Sequence, residues 1–315
     1  DITRFLSSDY VPLYNPIEEY LYNTGRWDGK DRIRALADLV PCNNPYWREL
    51  FYRWFLSMTA HWQNIDRQHG NNTSPLLVGS QGYRKSTFCR ILLPPELRFG
   101  YTDSIDFKSK QEAERSLGRF FLINIDEFDQ INANQQGFLK HLLQKPVANL
   151  RKPYGTTIQE MRRYASFIGT SNLKDLLTDP SGSRRFICIE VTGPIQTNVT
   201  INYHQLYAQA MHDIMKGERY WLDDTDEAIV KEYNREFERV DPLEELFLCH
   251  FRGAEESEEG EWLTAMQIFN DLQQKTRDKL AINRIAAFGR TLRKLDILNK
   301  KSNRGTLYHL VRIEE

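Results

Sequence analysis

The fold is decided by the stretch Leu76-Leu-Val-Gly79-Ser-Gln-Gly82-Tyr-Arg84-Lys85-Ser86-Thr87. A short apolar run leads into a glycine-bearing turn, and Lys-Ser-Thr and the apolar segment 88–92 follow. Strand, turn and helix in this order suit a phosphate-binding loop, because glycines let backbone N–H groups point inward at phosphate oxygens. The predicted cofactor-binding residues are Gly79, Ser80, Gln81, Gly82, Tyr83, Arg84, Lys85, Ser86 and Thr87.

Two residues of this loop have predicted roles in binding ATP and Mg²⁺. Lys85 is expected to reach the β- and γ-phosphates, and the Ser86 hydroxyl is expected to ligate the metal. The usual pattern G-x-x-x-x-G-K-[S/T] has a glycine where this sequence has Arg84. We expect Arg84 to fit only with a negative φ. It could add a phosphate contact, or it could slow or abolish hydrolysis. An accidental loop containing glycine and lysine is the alternative.

A pair of carboxylates follows a second apolar run. Asp126-Glu127 comes directly after Phe120-Phe-Leu-Ile-Asn-Ile125. Asp126 is predicted to hold the metal together with Ser86, and Glu127 to polarise the attacking water as general base. The same dipeptide recurs at Asp226-Glu227, where no apolar run precedes it. We therefore predict only a solvated helix start at that second copy.

Two more polar segments adjoin apolar runs. Asn172 ends the segment Ala165-Ser-Phe-Ile-Gly-Thr-Ser-Asn172 and is expected to orient the water and sense the γ-phosphate. Arg184 and Arg185 precede the run 186–189, and an arginine there could stabilise charge on a neighbouring subunit's γ-phosphate. An ordinary Thr-Ser-Asn loop and a surface pair of arginines are the alternatives. The predicted catalytic residues are Lys85, Glu127, Asn172, Arg184 and Arg185.

The apolar runs are typical of strands buried on both faces, so they predict an α/β core with a parallel sheet sandwiched by helices. An N-terminal helical region is expected at residues 1–65, the ATPase core at 66–195 and a helical region at 196–253. Five glutamates within residues 254–261 predict an acidic linker, because like charges stay solvated. Residues 262–315 are expected to form a winged helix-turn-helix, with two helices and a hairpin wing.

Composition excludes several classes of protein. The chain has 315 residues and a net charge of -1, so any contact with nucleic acid must come from local basic patches. The four cysteines are isolated and predict buried thiols in a reducing, cytoplasmic setting. No apolar run is long enough for a membrane span, and no histidine pattern indicates a transition-metal site. Because the first residue is Asp1, we expect a piece of a longer chain.

The order of the four motifs resembles the virulence-associated E family, which is related to superfamily 3 helicases and phage-type primase–helicases. The resemblance covers roughly residues 10–195 and includes Tyr14-Asn-Pro-Ile-Glu-Glu-Tyr-Leu21 and Trp27-Asp-Gly29. It implies an AAA+-like P-loop NTPase core that assembles into a homo-oligomeric ring, expected to be a hexamer, with ATP at the subunit interfaces. Arg184 or Arg185 is then the finger that acts in trans.

The resemblance also implies a hairpin that contacts DNA between the carboxylate strand and the Asn172 strand. That interval contains Leu150-Arg151-Lys152-Pro-Tyr-Gly155 and Arg162-Arg163. Arg151 and Lys152 are the predicted phosphate contacts, with a solvent-facing charged loop as the alternative. The C-terminal module has ten Lys/Arg and two Asp/Glu from 275 to 304. Its predicted DNA contacts are Arg290, Arg293 and Lys294, and a protein-interaction role for this module is the alternative.

Together these features predict an ATP-hydrolysing DNA helicase or translocase of a mobile-element or phage replication system. Its expected cofactors are ATP and Mg²⁺, and its expected partner is single-stranded or forked DNA. The alternatives are an ATP-gated assembly switch and a DNA-binding regulator with weak or no turnover.

Overall fold

The computed structural model describes residues 14–65, 71–151, 158–178, 180–239, 242–255, 257–275, 285–295, 297–303 and 305–313. The chain divides into two compact units, Asp1–Arg239 and Val240–Glu315. No helix in the described ranges is long and apolar enough to cross a membrane.

A five-stranded parallel sheet forms the centre of the first unit, with strand order β2-β3-β6-β1-β7. The strands are β1 (Ser74–Val78), β2 (Tyr101–Thr102), β3 (Leu122–Ile125), β6 (Ser166–Ser171) and β7 (Phe186–Glu190). The four predicted apolar runs correspond to β1, β3, β6 and β7, so the predicted α/β class is confirmed. The short edge strand β2 has no such run and was not predicted.

Alternating side chains of the strands enter two different hydrophobic cores. In β1, Leu77 packs in the core that contains the aromatic residues of 47–62, whereas Leu76 and Val78 pack in the core on the opposite face. In β3, Ile123 and Ile125 share that opposite face. Successive residues of a strand point to opposite faces, so apolar residues at consecutive positions require cover on both sides. The predicted helical sandwich is therefore confirmed.

The described part of the first unit contains α-helices from residue 16 to residue 234. They are α1 (Pro16–Tyr22), α2 (Arg32–Ala37), α3 (Trp47–Trp62), α4 (Lys85–Ile91), α5 (Lys110–Arg119), α6 (Ala133–Gln144), α7 (Tyr203–Met215) and α8 (Asp224–Asn234). Asn15 caps α1 by accepting hydrogen bonds from the next turn, which explains the start at Asn15-Pro16. In α3, nearly every residue from Leu50 onward is buried, so this helix forms the centre of one core.

The second copy of the Asp-Glu dipeptide starts a helix, as predicted, but it is not solvated. Asp226 is 6% exposed, and its carboxylate pairs with Arg53 and with Arg219. It also closes a capping box with Asp223 at the start of α8. The prediction of a solvated start was wrong because the carboxylate is paired with these two arginines. Neither arginine belongs to a sequence pattern that indicates this pairing.

A separate antiparallel pair, β4 (Val147–Arg151) and β5 (Ile158–Arg162), lies in the interval where the DNA-contacting hairpin was predicted. Lys152 lies outside the described residues, and of Arg151 only the backbone is described. The register pairs Val147 with Arg162 and Arg151 with Ile158.

The second unit combines an antiparallel sheet with helices. It contains α9 (Pro242–His250), β8 (Phe251–Gly253), β9 (Glu261–Thr264), α10 (Ala265–Lys275), α11 (Ile285–Lys294), β10 (Asn299–Ser302) and β11 (Gly305–Arg312). Strand β11 pairs with β10, β8 and β9. Phe247 of α9 and Phe251 of β8 pack in the core of this unit with Phe288.

The second unit thus starts before the position suggested by the sequence. Residues 242–253 were assigned to the preceding helical region, whereas the structure places α9 and β8 in the second unit. The glutamate-rich segment 254–261 then connects β8 with β9 inside this unit. Within it, Glu258 pairs with Arg252, which lowers the pKa of Glu258 to about 2.

Candidate active site

A polar cavity of about 400 Å³ lies at the carboxyl ends of β1, β3 and β6. In parallel α/β sheets, ligands bind at this edge, because the loops that follow neighbouring strands meet there. The residues that line the cavity are Gln81, Gly82, Arg84, Lys85, Ser86, Thr87, Asp126, Glu127, Thr170, Ser171 and Asn172. The loop, the carboxylate pair and the Thr-Ser-Asn segment predicted separately therefore share one cavity.

The loop after β1 fits tightly against the neighbouring backbone. The Gly79 N–H donates to the Ser171 carbonyl at 3.1 Å. A Cβ atom at Gly79 would lie 2.7 Å from the Val191 carbonyl oxygen, so a larger residue does not fit without displacing the backbone. Gly82 has φ +87, a conformation that L-residues rarely adopt. Both glycines are therefore required by the shape of the loop.

Arg84 adopts φ 61 and ψ 28, which is the left-handed region. The expectation that a non-glycine residue fits here only with a negative φ was wrong. An L-residue in this conformation costs about 1–2 kcal/mol, because its Cβ approaches the following carbonyl. The Arg84 side chain is exposed and lines the cavity. The chain therefore keeps the backbone conformation that the missing glycine would adopt easily.

The Lys85 side chain lies inside the loop, and the residue is only 7% exposed. It donates to the carbonyls of Gly79 (2.5 Å) and Ser80 (2.9 Å) and to Asn172 Oδ1 (3.0 Å). Burial lowers the pKa of Lys85, and the charges of Asp126 and Asp129 act in the opposite direction. All three of these hydrogen bonds go to neutral oxygens, so no carboxylate is directly paired with the Lys85 ammonium in this cavity.

The two carboxylates follow β3 in different environments. Asp126 accepts a hydrogen bond from Ser86 Oγ at 2.9 Å and another from Thr170 Oγ1. The two predicted metal ligands, Ser86 and Asp126, are thus adjacent. Glu127 is exposed at the cavity wall with φ 51, again in the left-handed region. Residues held in this region without being glycine are concentrated at functional sites.

Gly79, Ser80 and Tyr83 of the predicted loop are not among the residues that line the cavity. The Tyr83 side chain instead packs against the hydrophobic core that contains α3. The hydroxyls that hold the site together had no predicted role: Thr170 binds Asp126, and Ser171 donates to Asp129 at 2.6 Å. The sequence signal for both was their position at the end of an apolar run, next to Asn172.

The predicted finger arginines lie outside this cavity. Arg184 Nη1 donates to Glu227 Oε2 at 2.8 Å, and the Arg184 side chain is 43% exposed. Arg185 is half-buried in the same 3₁₀ turn, Pro180–Arg185. Within one chain, therefore, neither arginine lines the cavity that contains Lys85.

The predicted nucleic-acid contacts fall into two groups. In the first unit they are Arg151 and Lys152, whose side chains lie outside the described part of the chain. In the same interval, Arg162 pairs with Glu18 and donates to the Trp62 carbonyl. Arg163 is 1% exposed, so it is not available to meet phosphates.

In the second unit, Arg290 and Arg293 are exposed on α11, and the side chain of Lys294 lies outside the described part. Lys300 and Lys301 on β10 are also exposed. Lys300 Nζ lies 3.7 Å from the centre of the Trp262 ring.

The parallel sheet and the polar cavity at its carboxyl edge define an α/β protein with an anion-compatible site. The chain belongs to the virulence-associated protein E-like domain family, whose model matches residues 21–239. The predicted resemblance to this family is confirmed. A second model, for a domain of unknown function described from a B. Theta gene (DUF3874), matches residues 241–310.

Solved structures give a more distant likeness. The apo structure of the NrS-1 C terminal region (305–718) is 14% identical, with a TM-score of 0.45 over 96% of this chain and 76% of that chain. An A form apo structure of the same region is 13% identical, with a TM-score of 0.44 over 96% of this chain and 77% of that chain. No curated protein matches the sequence.

Proposed function

We propose that the chain is a Mg²⁺-dependent P-loop ATPase whose site is the cavity between β1, β3 and β6. One observation carries the proposal: the Lys85 ammonium, the Ser86–Asp126 pair and the Asn172 amide meet at the mouth of the glycine loop. A buried cation held by neutral carbonyls, beside a hydroxyl and a carboxylate, is suited to a phosphate chain with a bound metal.

The donor set fits Mg²⁺ only in company with phosphate. Mg²⁺ prefers oxygen ligands and keeps several waters, so one or two protein ligands are enough in nucleotide sites. Among the described residues, no group of three His, Cys, Asp or Glu side chains could hold a metal alone. Ser86 and Asp126 would hold the ion, and when bound it would neutralise charge on the phosphates.

The residues of this chain would divide the remaining chemistry among them. Lys85 would attract the terminal phosphates once their oxygens replace the carbonyls it now binds. Glu127 would accept the proton of the attacking water, as its exposed position at the cavity wall permits. Asn172, already hydrogen-bonded to Lys85, would orient that water against the γ-phosphate.

We further propose that ATP hydrolysis drives a DNA helicase or translocase of a replication system, acting as a ring. Arg184 or Arg185 would then reach the site of the neighbouring subunit, since neither lines the cavity of its own chain. The second unit would be a winged helix. The layout of α10, α11 and the β10–β11 hairpin supports this, as do the exposed basic residues Arg290 and Arg293.

An ATP-gated assembly switch with weak turnover is the second candidate. Arg184 is paired with Glu227 inside its own chain, so it must exchange partners before it can act in trans. Arg84 stands where the usual pattern has a glycine, and it adds a positively charged side chain to the cavity of the phosphate loop. Both features suit a protein in which nucleotide controls assembly.

ATP turnover with and without single-stranded DNA separates these candidates. For the motor, turnover rises with DNA and is lost in Lys85→Ala and Glu127→Gln. For the switch, ATP binds and changes the oligomeric state, but DNA does not stimulate turnover. Turnover that survives both substitutions would show that this cavity is not the site.

A mixing experiment tests the finger. Arg184→Ala subunits keep an intact Lys85, and Lys85→Ala subunits keep an intact Arg184. If Arg184 acts in trans, each variant is inactive alone and their mixture regains turnover at the mixed interfaces. Arg185→Ala mixed in the same way shows which arginine is needed. A mixture as inactive as its parts, for both arginines, would exclude a finger in this turn.

A further inference from the structure

An aromatic cavity opens on the first unit, separate from the cavity that contains Lys85. It has a volume of about 550 Å³ and lies where α1, the 3₁₀ turn Pro95–Gly100 and the start of α7 meet. Its aromatic walls are Tyr14, Tyr20, Phe99 and His204. No described residue lines both this cavity and the cavity of the glycine loop. The fold therefore has a concave surface that the ATPase proposal leaves without a role.

Packing holds the aromatic walls in place. Tyr20 is 8% exposed, and its ring stacks on the His204 ring with the ring centres 5.4 Å apart. The Tyr207 ring packs edge-on against Tyr20. Phe99 packs edge-on against the Phe121 ring, yet it remains 65% exposed. Rings held in this way lose little conformational freedom when a ligand binds, so the cavity is prepared for one.

Two carboxylates, those of Glu19 and Glu96, share the cavity with these rings. Neither forms an ion pair with a residue in the described ranges, whereas the adjacent Glu18 pairs with Arg162 at 2.7 Å. The basic residue closest to Glu96 in the sequence is Arg98, and it donates to a backbone carbonyl and to a tyrosine hydroxyl instead. The cavity therefore has two negative charges that no described lysine or arginine neutralises.

The tyrosines show that both carboxylates lie beside the aromatic walls. Hydrogen bonding to Glu19 raises the pKa of Tyr14. Burial raises the pKa of Tyr20, and the negative charge of Glu96 acts in the same direction. The carboxylates and the rings can therefore contact one ligand together.

The charge of the cavity selects an organic cation. A cation is attracted both to the face of an aromatic ring and to a carboxylate, whereas the phosphates of nucleic acid would be repelled. A metal ion is not suited to the cavity, since the described part of the chain contains no group of three His, Cys, Asp or Glu side chains that could hold one. Arginine fits this chemistry best, because its planar guanidinium stacks on rings and also donates to carboxylates.

The size of the cavity indicates that the arginine belongs to a peptide. Cavities of about 300–1,000 Å³ bury ligands much larger than one side chain, and this cavity lies within that range. Exposed aromatic surface such as Phe99 and Tyr14 is typical of sites where proteins meet.

We propose that this cavity docks a segment of a partner protein that inserts an arginine side chain among the aromatic rings. The guanidinium stacks on Phe99 and Tyr14, and the carboxylates of Glu19 and Glu96 accept its hydrogen bonds. The residues on either side of the arginine cover the remaining exposed aromatic surface. This docking needs no nucleotide, so the proposal goes beyond ATP hydrolysis and does not depend on it.

The test titrates the full chain with the peptide N-acetyl-Ala-Arg-Ala-amide and follows the backbone amide signals by NMR. The matched probe has citrulline in place of arginine, which keeps the shape of the side chain but removes its charge. We expect the signals of residues 19–23 and 96–99 to shift. The citrulline peptide should bind about tenfold more weakly, because contacts to the rings and carboxylates require the charge.

Four variants separate the contributions of the cavity. Phe99→Ala and Glu96→Gln should each weaken binding of the arginine peptide by about threefold to tenfold. Tyr22→Ala is the matched aromatic control, since Tyr22 lies on α1, is 89% exposed and does not line the cavity. Glu18→Gln is the matched charge control. Both controls should bind the peptide as the unmodified chain does.

Three results would overturn the proposal. The first is the absence of shifts at residues 19–23 and 96–99 in the full chain, and the second is equal affinity for the arginine and citrulline peptides. The third is tighter binding of spermidine than of the arginine peptide, which would assign the cavity to a polyamine and not to a protein. None of these measurements involves ATP, so a failed docking proposal leaves the ATPase proposal standing, and loss of the ATPase proposal leaves the docking site standing.

Discussion

Replacing Arg163 with methionine should lower the stability of the first unit more than the same replacement of its neighbour Arg162. The Arg163 guanidinium is buried, which lowers its pKa to about 9, so it remains charged at neutral pH. Each hydrogen bond that it makes to the described residues goes to a backbone carbonyl. The acceptors are Ala165 (2.9 Å), Leu142 (3.1 Å), Leu143 (2.8 Å), Lys145 (2.7 Å) and Asn71 (3.0 Å).

These contacts give the size of the effect. Leu142 and Leu143 lie in the last turn of α6, where carbonyls lack the usual partner four residues on, and Arg163 caps this end of the helix together with the Lys145 N–H, which donates to the Leu142 carbonyl. Five hydrogen bonds at about 1 kcal/mol each give a gross loss of about 5 kcal/mol. Methionine is easier to bury than a guanidinium, which offsets about 2 kcal/mol. We therefore expect Arg163→Met to lower the free energy of unfolding by about 3 kcal/mol.

Urea denaturation followed by tryptophan fluorescence measures this, because Trp47, Trp54 and Trp62 report on α3 in the same unit. Arg162→Met is the matched control. The Arg162 side chain is 25% exposed, pairs with the exposed Glu18 and donates to one backbone carbonyl, that of Trp62, so its loss should cost about 1–2 kcal/mol. Arg163→Lys should fall between the two, since it keeps the charge with fewer donors. If Arg163→Met and Arg162→Met unfold at the same urea concentration, the carbonyl contacts do not stabilise the fold as argued.

Three other predictions follow from the loop and the thiols. Arg84→Gly should be more stable than Arg84→Ala by about 1 kcal/mol in urea denaturation, because only glycine relieves the positive φ; equal stabilities would contradict a strained backbone. Gly79→Ala should abolish ATP binding in a fluorescent-nucleotide titration, since its Cβ would lie 2.7 Å from the Val191 carbonyl oxygen; normal binding would mean that the loop rearranges freely. Exposed Cys249 should react first with a thiol reagent, while burial raises the pKa of Cys89 and protects it in mass-spectrometric mapping; early labelling of Cys89 would show that the site region opens.

The sequence could predict the central sheet because that information is local. An apolar run that ends in polar residues predicts both a buried strand and a polar strand end, and β1, β3 and β6 each have this pattern. The edge strand Tyr101–Thr102 is too short to leave such a pattern. In the second unit, Phe251 directly follows a helix, and its strand is defined by pairing with residues 310–312, far along the chain.

The sequence could predict which residues form the site, but it could not predict their strained backbone conformations. Lys85, Asp126 and Asn172 could be placed together because parallel strands bring their carboxyl ends to one edge. The left-handed conformations of Arg84 and Glu127 could not, since they depend on how the surrounding loops hold those residues.

The burial of charged groups could not be predicted from the sequence either. Arg163 lies in a basic, turn-like stretch that suggests exposure, and its carbonyl partners come from positions as distant as Asn71 and Leu142. Groups of this kind are recognised by their surroundings in three dimensions, and these surroundings are not encoded by neighbouring residues.

The most direct test of the central claim is the equilibrium binding of ATP with Mg²⁺ to the Glu127→Gln and Lys85→Ala variants. If the cavity is a nucleotide site, Glu127→Gln binds ATP and keeps it intact, since it lacks only the proposed base. Lys85→Ala should then bind about tenfold to a hundredfold more weakly, because a charge-assisted phosphate contact is lost. Equal affinities in the two variants, or no binding by Glu127→Gln, would contradict the assignment of this cavity as the ATP site.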